Sequence, residues 1–145
     1  MTEPWVGIRR LFLDSAPVIY FVEQHPDYHS LLLPIFARFE TGDLIAVTSP
    51  ITLAECLVLP LKAGNAVVTE AFLELLGGAY PGVFVALERQ TARLAAEIRS
   101  KYRVTLSDAF QVASALEARC QALLTNDKAL TRITELRVLV VEDLR

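Results

Sequence analysis

Residues 106–130, LSDAFQVASALEARCQALLTNDKAL, decide the fold. Ala109, Val112, Ala113 and Leu116 recur at helical spacing and make one apolar stripe. A short continuous apolar run, ALL, then ends before Thr125. A helix that packs on a sheet and returns directly into a buried strand is a repeating unit of a parallel α/β layer. Each end of this unit carries an acid: Asp108 lies in the first turn of the helix and Asp127 lies just past the strand. The chain therefore leaves one place and returns near it with a carboxylate both times.

Outward from this stretch, further apolar runs appear as LFL before Asp14, LIAV before Thr48, VFVAL at 83–87 and VLVV before Glu142. Continuous rather than alternating runs suit strands covered on both faces. With helical periodicity between them, they predict an α/β layered domain. Helices are expected from Pro17 to before Pro26, over 28–40, over 65–76 with Gly77-Gly78 closing it, over 90–103, and briefly over 128–134. In TSP, Ser49 is placed to cap a further helix whose first residue is Pro50 and which Pro60 ends.

The 145 residues fit a single domain, 1–145, that needs neither disulfide nor structural metal to build a core. The composition is 53% hydrophobic and the mean hydropathy is +0.39, a surplus that predicts a homodimer or another partner contact. The longest apolar runs, LLLPIF and LVLPL, fall far short of the roughly 18 residues that read as a membrane span. MTEPWVGIRR lacks the basic segment and long apolar run of a secretory leader, so a cytoplasmic location is expected. Cys56 and Cys120 lie among apolar neighbours and read as structural thiols. The formal charge of −3 argues against broad electrostatic binding to nucleic acid, but not against a nucleic-acid substrate held through metal ions.

In an open parallel sheet, ligands bind beyond the carboxyl ends of the strands. Asp14 and Asp127 both follow strands, so both belong on that edge and can share an ion if their strands are neighbours. Taken singly, each is equally a helix cap. Glu55 is more telling, because it lies among Ile51, Val58 and Leu59 on a helix with almost no polar face. That position implies a cleft or an interface, where a carboxylate needs a cation or a hydrogen-bond partner. Asp108 alone is explained by the helix dipole, but it joins the others if its helix points to the strand edge. Four carboxylates without Lys or Arg among them call for a divalent cation, and all-oxygen ligation favours Mg²⁺ or Mn²⁺. Such ions activate water and neutralise charge on a phosphoryl group, which makes phosphodiester hydrolysis the leading chemistry.

These segments resemble the PIN domain family, in particular the bacterial VapC-type toxins, over nearly the whole chain. LFLDSAPVIYFVE is similar to the opening strand with the first acid, Asp14, and TSPITLAECLVLPLKAG to the helix with the family's glutamate, Glu55. The stretch 106–130 resembles the part carrying the third and fourth acids, Asp108 and Asp127, and RVLVVEDL the terminal strand. Many members have Asn shortly after the first acid, where this chain retains Ser15 but continues Ala16-Pro17. The resemblance implies a three-layer domain with a five-stranded parallel sheet, and a metal-dependent endoribonuclease that binds Mg²⁺ or Mn²⁺ through Asp14, Glu55, Asp108 and Asp127. It also implies Ser15, Thr125 and Asn126 as groups that orient water or carboxylate, RNA as substrate, and a cognate antitoxin as partner.

Other residues have blander alternatives. Arg89, Arg93, Arg99, Lys101 and Arg103 could contact RNA phosphates, or form a solvated face interspersed with Glu88 and Glu97. His25 and His29 flank Pro26, which spoils a ligand pair and favours a surface loop. Glu142 and Asp143 read as a solvated tail. Tyr20, Phe21, Phe36 and Phe39 read as core or dimer contacts. Two other functional classes remain: a PIN fold that only binds RNA or a partner, and a receiver-like domain phosphorylated on Asp127. The receiver reading lacks its acidic pair, since Asp14 stands alone and Thr48-Ser49-Pro50 follows the second strand.

Overall fold

A computed structural model describes residues 4–79 and 82–144. The apolar runs become five strands: β1 (Arg10–Leu13), β2 (Ile45–Thr48), β3 (Gly82–Phe84), β4 (Ala122–Thr125) and β5 (Arg137–Val140). All pair in parallel, in the order β3-β2-β1-β4-β5. The six helices are α1 (Ser15–Val22), α2 (His29–Thr41), α3 (Pro50–Lys62), α4 (Ala66–Glu74), α5 (Arg89–Lys101) and α6 (Leu106–Glu117).

Alternation along each strand explains why both sheet faces are apolar. Leu11 and Leu13 point to one side, against Val18, Leu32, Phe39 and Phe72 from α1, α2 and α4. Phe12 points to the other, against Ile98 of α5 and Val112 of α6. The result is the expected three-layer arrangement, with β1 fully enclosed at its centre. No helix among the described residues is long and apolar enough to cross a membrane.

Element ends differ from expectation for local reasons. Asp14 accepts the Ser15 N–H and caps α1, so this helix begins two residues before Pro17. Pro60 does not end α3: it lies inside the helix and is buried, two residues before the last one. A proline there forgoes one hydrogen bond to the preceding turn. Past α4 the chain continues as a π-helical turn, Leu75–Ala79. The run at 83–87 pairs only briefly, and the segment 128–134 is a 3₁₀ helix, Lys128–Arg132, opened by Asp127.

The histidines are not a plain surface loop. His25 Nδ1 accepts the Asp27 N–H at 3.1 Å and the Tyr28 N–H at 3.3 Å, and its ring stacks on Tyr28. His29 stacks on Phe21, which itself stacks on Phe36. Nor is the C-terminal segment a solvated tail. Val141–Asp143 forms a 3₁₀ turn in which Glu142 pairs with Lys128 at 3.0 Å and donates its N–H to Asn126 Oδ1 at 3.2 Å.

Candidate active site

The strand order reverses at β1: the chain moves from β1 to β2 and β3, then returns to place β4 on the opposite side of β1. The crevice beyond the carboxyl ends of β1 and β4 is thus a topological switch point, the usual ligand position in open α/β sheets. Leu13 lies opposite Leu124 in this pair, so Asp14 and Thr125 emerge side by side.

Asp14 is only 6% exposed and is held from three directions. Oδ1 accepts the Ser15 N–H at 2.9 Å and Gln111 Nε2 at 3.4 Å, and Oδ2 accepts the Thr125 hydroxyl at 2.8 Å. Gln111, fully buried on α6, also donates to Thr52 Oγ1 at 2.8 Å and accepts the Ser49 hydroxyl through Oε1. Thr52 in turn donates to the Leu13 carbonyl at 3.1 Å. Each polar atom of the Gln111 amide has a partner, which fixes its orientation and locks α6 to β1 and to the start of α3.

The other three acids surround this bracket. Glu55, on α3, is exposed and accepts the Ser107 hydroxyl at 3.2 Å. It reaches α6 rather than a closed cleft, and α3 leaves Val58, Leu59 and Leu61 exposed. Asp127 is exposed at the start of its 3₁₀ helix, where Oδ1 accepts the Ala129 N–H at 2.9 Å. Asp108 stands in the first turn of α6, with its N–H donating to the Thr105 cap at 3.1 Å. Burial and the negative charge of Asp14, with weaker effects from Asp127 and Glu55, push the Asp108 carboxyl up to about 6 against an opposing hydrogen bond with Thr105.

Four elements therefore bring Asp14, Glu55 and Asp127 within electrostatic reach of Asp108. Among the described residues, no Lys or Arg forms an ion pair with any of the four. Nor are three of them already drawn together as a closed set of ligands. The donor set fits a hard divalent cation, being all oxygen and net negative. Asp14 is fixed, while the more exposed carboxylates retain the freedom to adjust around an ion.

Burial of the Asp108 charge, together with repulsion from Asp14, has a measurable consequence. An acid whose folded pKa is raised destabilises the fold above that pKa, and the penalty disappears below the ordinary carboxylate value. Metal-free stability is thus expected to fall as pH rises from about 4 to about 6. Because Asp108 is half-buried and also favours its helix dipole, Asp108→Asn is expected to add about 1 kcal/mol near neutral pH without metal. Urea unfolding at two pH values checks this: the gain shrinks toward zero in acid if the half-buried charge of Asp108 is the cause.

The PIN domain family model matches residues 11–136. The chain is a PIN domain. Solved structures agree on the fold. VapBC2 from Rickettsia felis, bound to a promoter DNA fragment, is 18% identical, with 90% of this chain and 98% of that chain covered at a TM-score of 0.69. VapC20 from Mycobacterium tuberculosis, a toxin that cleaves the sarcin-ricin loop, is 14% identical, covering 88% and 98% at a TM-score of 0.68. VapBC-1 from nontypeable Haemophilus influenzae is 18% identical, covering 92% and 99% at a TM-score of 0.71. No functionally curated protein matches significantly.

Within this PIN domain, the supporting residues differ from the expected ones. Thr125 does touch Asp14. Ser15 contributes its backbone N–H rather than its hydroxyl. Asn126 faces away, donating to Tyr20 Oη at 3.1 Å and accepting from Glu142 N. Gln111, Ser107 and Thr52 carry the support that sequence reasoning missed. Gln111 was findable, as the polar residue on the apolar stripe one turn after Asp108. Cys56 lies beneath the site, donating to the Ser15 carbonyl at 3.9 Å. Burial, with Glu55 and Asp14 nearby, pushes its thiol up to about 12, so it stays neutral and inert.

Proposed function

We propose that this PIN domain is an endoribonuclease dependent on Mg²⁺ or Mn²⁺, acting as the toxin of a toxin–antitoxin pair. The observation that carries this reading is the convergence of four acids, without an ion-paired Lys or Arg among the described residues, at the switch point beyond β1 and β4, with Asp14 buried and held by Ser15, Gln111 and Thr125. Asp14, Glu55, Asp108 and Asp127 would hold the ion, directly or through water. When bound, such an ion supplies an activated water and neutralises charge on the phosphoryl group. Asp14 keeps one orientation through Ser15, Gln111 and Thr125, so it provides the fixed ligand position. Ser107 orients Glu55 toward the N-terminus of α6.

The antitoxin is inferred from the neighbours, several of which are VapBC proteins, including the DNA-bound VapBC from Salmonella typhimurium. Val58, Leu59 and Leu61 of α3 and Val67 of α4 supply exposed apolar surface for the expected homodimer. The enzymatic reading is tested by incubating purified protein with single-stranded and structured RNA. Cleavage is expected with Mg²⁺ or Mn²⁺, is expected to stop in excess chelator, and is expected to resume when metal is restored. Undiminished cleavage in chelator would contradict metal dependence. Absence of both cleavage and metal binding would favour a PIN fold that only binds a partner.

A further inference from the structure

A site built from four carboxylates repels the polyanion it is proposed to cut, and the whole chain adds a net charge of −3. Backbone contacts must come from cations that are near the acids and not already neutralised. Most of the basic cluster expected from sequence fails one of these conditions. Arg93 pairs with Glu97 at 3.5 Å and Lys101 pairs with Glu135 at 3.2 Å, while Arg89 opens α5 at the end away from α6's acidic N-terminus. Lys128, beside Asp127, pairs with Glu142.

Arg99 is exposed and has no acidic partner among the described residues, but it lies back along α5, nine residues before Asp108; two arginines remain. Arg103 precedes Asp108 by five residues, and Arg132 follows Asp127 by five. Both are exposed, and among the described residues neither has an acidic partner. The segments that carry them are clasped together. Tyr102 Oη donates to Glu135, lies 3.2 Å from Thr134 Oγ1, and accepts the Thr134 N–H at 3.4 Å, while Lys101 closes on the same Glu135. Tyr102 adjoins Arg103, and Thr134 lies two residues past Arg132. The clasp thus fixes the chain beside each arginine and occupies Glu135, the nearby acid that would otherwise compete for them. What remains free is the pair of guanidinium groups, which suit phosphate oxygens through their planar donor fork.

We propose that Arg103 and Arg132 grip RNA phosphates on the α6 side and the β4 side of the acid site, positioning the strand across it. This proposal rests on the ribonuclease reading above. Its test is steady-state cleavage of a single-stranded RNA over a range of salt, with fluorescence anisotropy of the same RNA as a binding readout. The proteins compared are wild type, Arg103→Gln, Arg132→Gln and the control Arg119→Gln, which removes the same charge past the far end of α6. Each rim variant is expected to raise KM about tenfold at low salt and to reduce the salt slope of affinity by about 0.7, the value for one single-strand phosphate contact. The effect on kcat at saturating RNA is expected to be much smaller, and Mn²⁺ affinity is expected to hold. Arg119→Gln is expected to match wild type.

Rim variants that bind RNA with the wild-type affinity and salt slope would overturn the proposal while leaving the ribonuclease reading intact. An equal weakening by Arg119→Gln would also overturn it, since the contacts would then be diffuse. A wild-type protein that neither binds nor cleaves RNA would overturn both.

Discussion

Asp14→Asn is expected to lower RNA cleavage by at least about 100-fold while leaving the protein folded. Loss of a group that merely supports a metal ligand costs 10–100-fold, and Asp14 is placed as a ligand itself. Its buried carboxylate is fixed by Ser15, Gln111 and Thr125, so no neighbouring acid can move into its position without dismantling that bracket. Asn preserves the shape and remains a good helix cap, so the Ser15 bond and the start of α1 should persist. The Thr125 hydroxyl can turn to suit an amide. Circular dichroism and thermal unfolding check that the fold is retained, and cleavage of a labelled RNA measures the loss. A folded Asp14→Asn protein that cuts as fast as wild type would remove Asp14 from the reaction.

Gln111→Leu is expected to cost about 2–4 kcal/mol of stability. Leucine fits the volume and gains some burial. It nevertheless leaves the Ser49 hydroxyl proton without its acceptor and removes one of two donors from each of Thr52 Oγ1 and Asp14 Oδ1, which keep the Ser49 and Ser15 N–H groups, all inside the protein. The one orphan costs about 1–3 kcal/mol and the two lost bonds about 1 kcal/mol each, and shared relaxation keeps the three from adding fully. Activity should fall as well, because α6 would lose its tie to Asp14 and carry Asp108 out of register. Urea unfolding gives the stability change. A loss below about 0.5 kcal/mol would mean that the bracket is incidental.

Much of this architecture was legible because the central strands β1, β2 and β4 are short and largely buried, so each appears as an unbroken apolar run with a polar residue at its carboxyl end. Asp14 and Asp127 follow directly from that pattern, and the pairing of β1 with β4 completes it. Asp108 was legible once α6 was seen to pack its apolar stripe on the sheet. Glu55 was legible for a partly mistaken reason: α3 does have an exposed face, but that face is apolar, and Glu55 meets Ser107 across to α6.

Other features depend on geometry that sequence does not display. Pro60 reads as a stop signal, yet a proline two residues from a helix end sacrifices one bond and is retained when its ring is buried. Asn126 adjoins Asp127 in sequence, but alternation sends its side chain to the opposite side from Thr125, toward Tyr20. Gln111 escaped because a single glutamine on an apolar stripe resembles a tolerated imperfection. The principle that singled out Glu55, that a buried polar group must have partners, applies to Gln111 with greater force. The clasp around Tyr102 joins residues more than thirty positions apart and has no local signature.

The shared ion is tested most directly by titrating Mn²⁺ calorimetrically into wild type and Asp14→Asn in parallel near pH 8, where Asp108 is ionised. Saturable binding to wild type, weakened at least about tenfold in the variant, is the expected result. Identical isotherms for the two proteins, or no binding to a wild-type protein that still cleaves RNA in excess chelator, would contradict it.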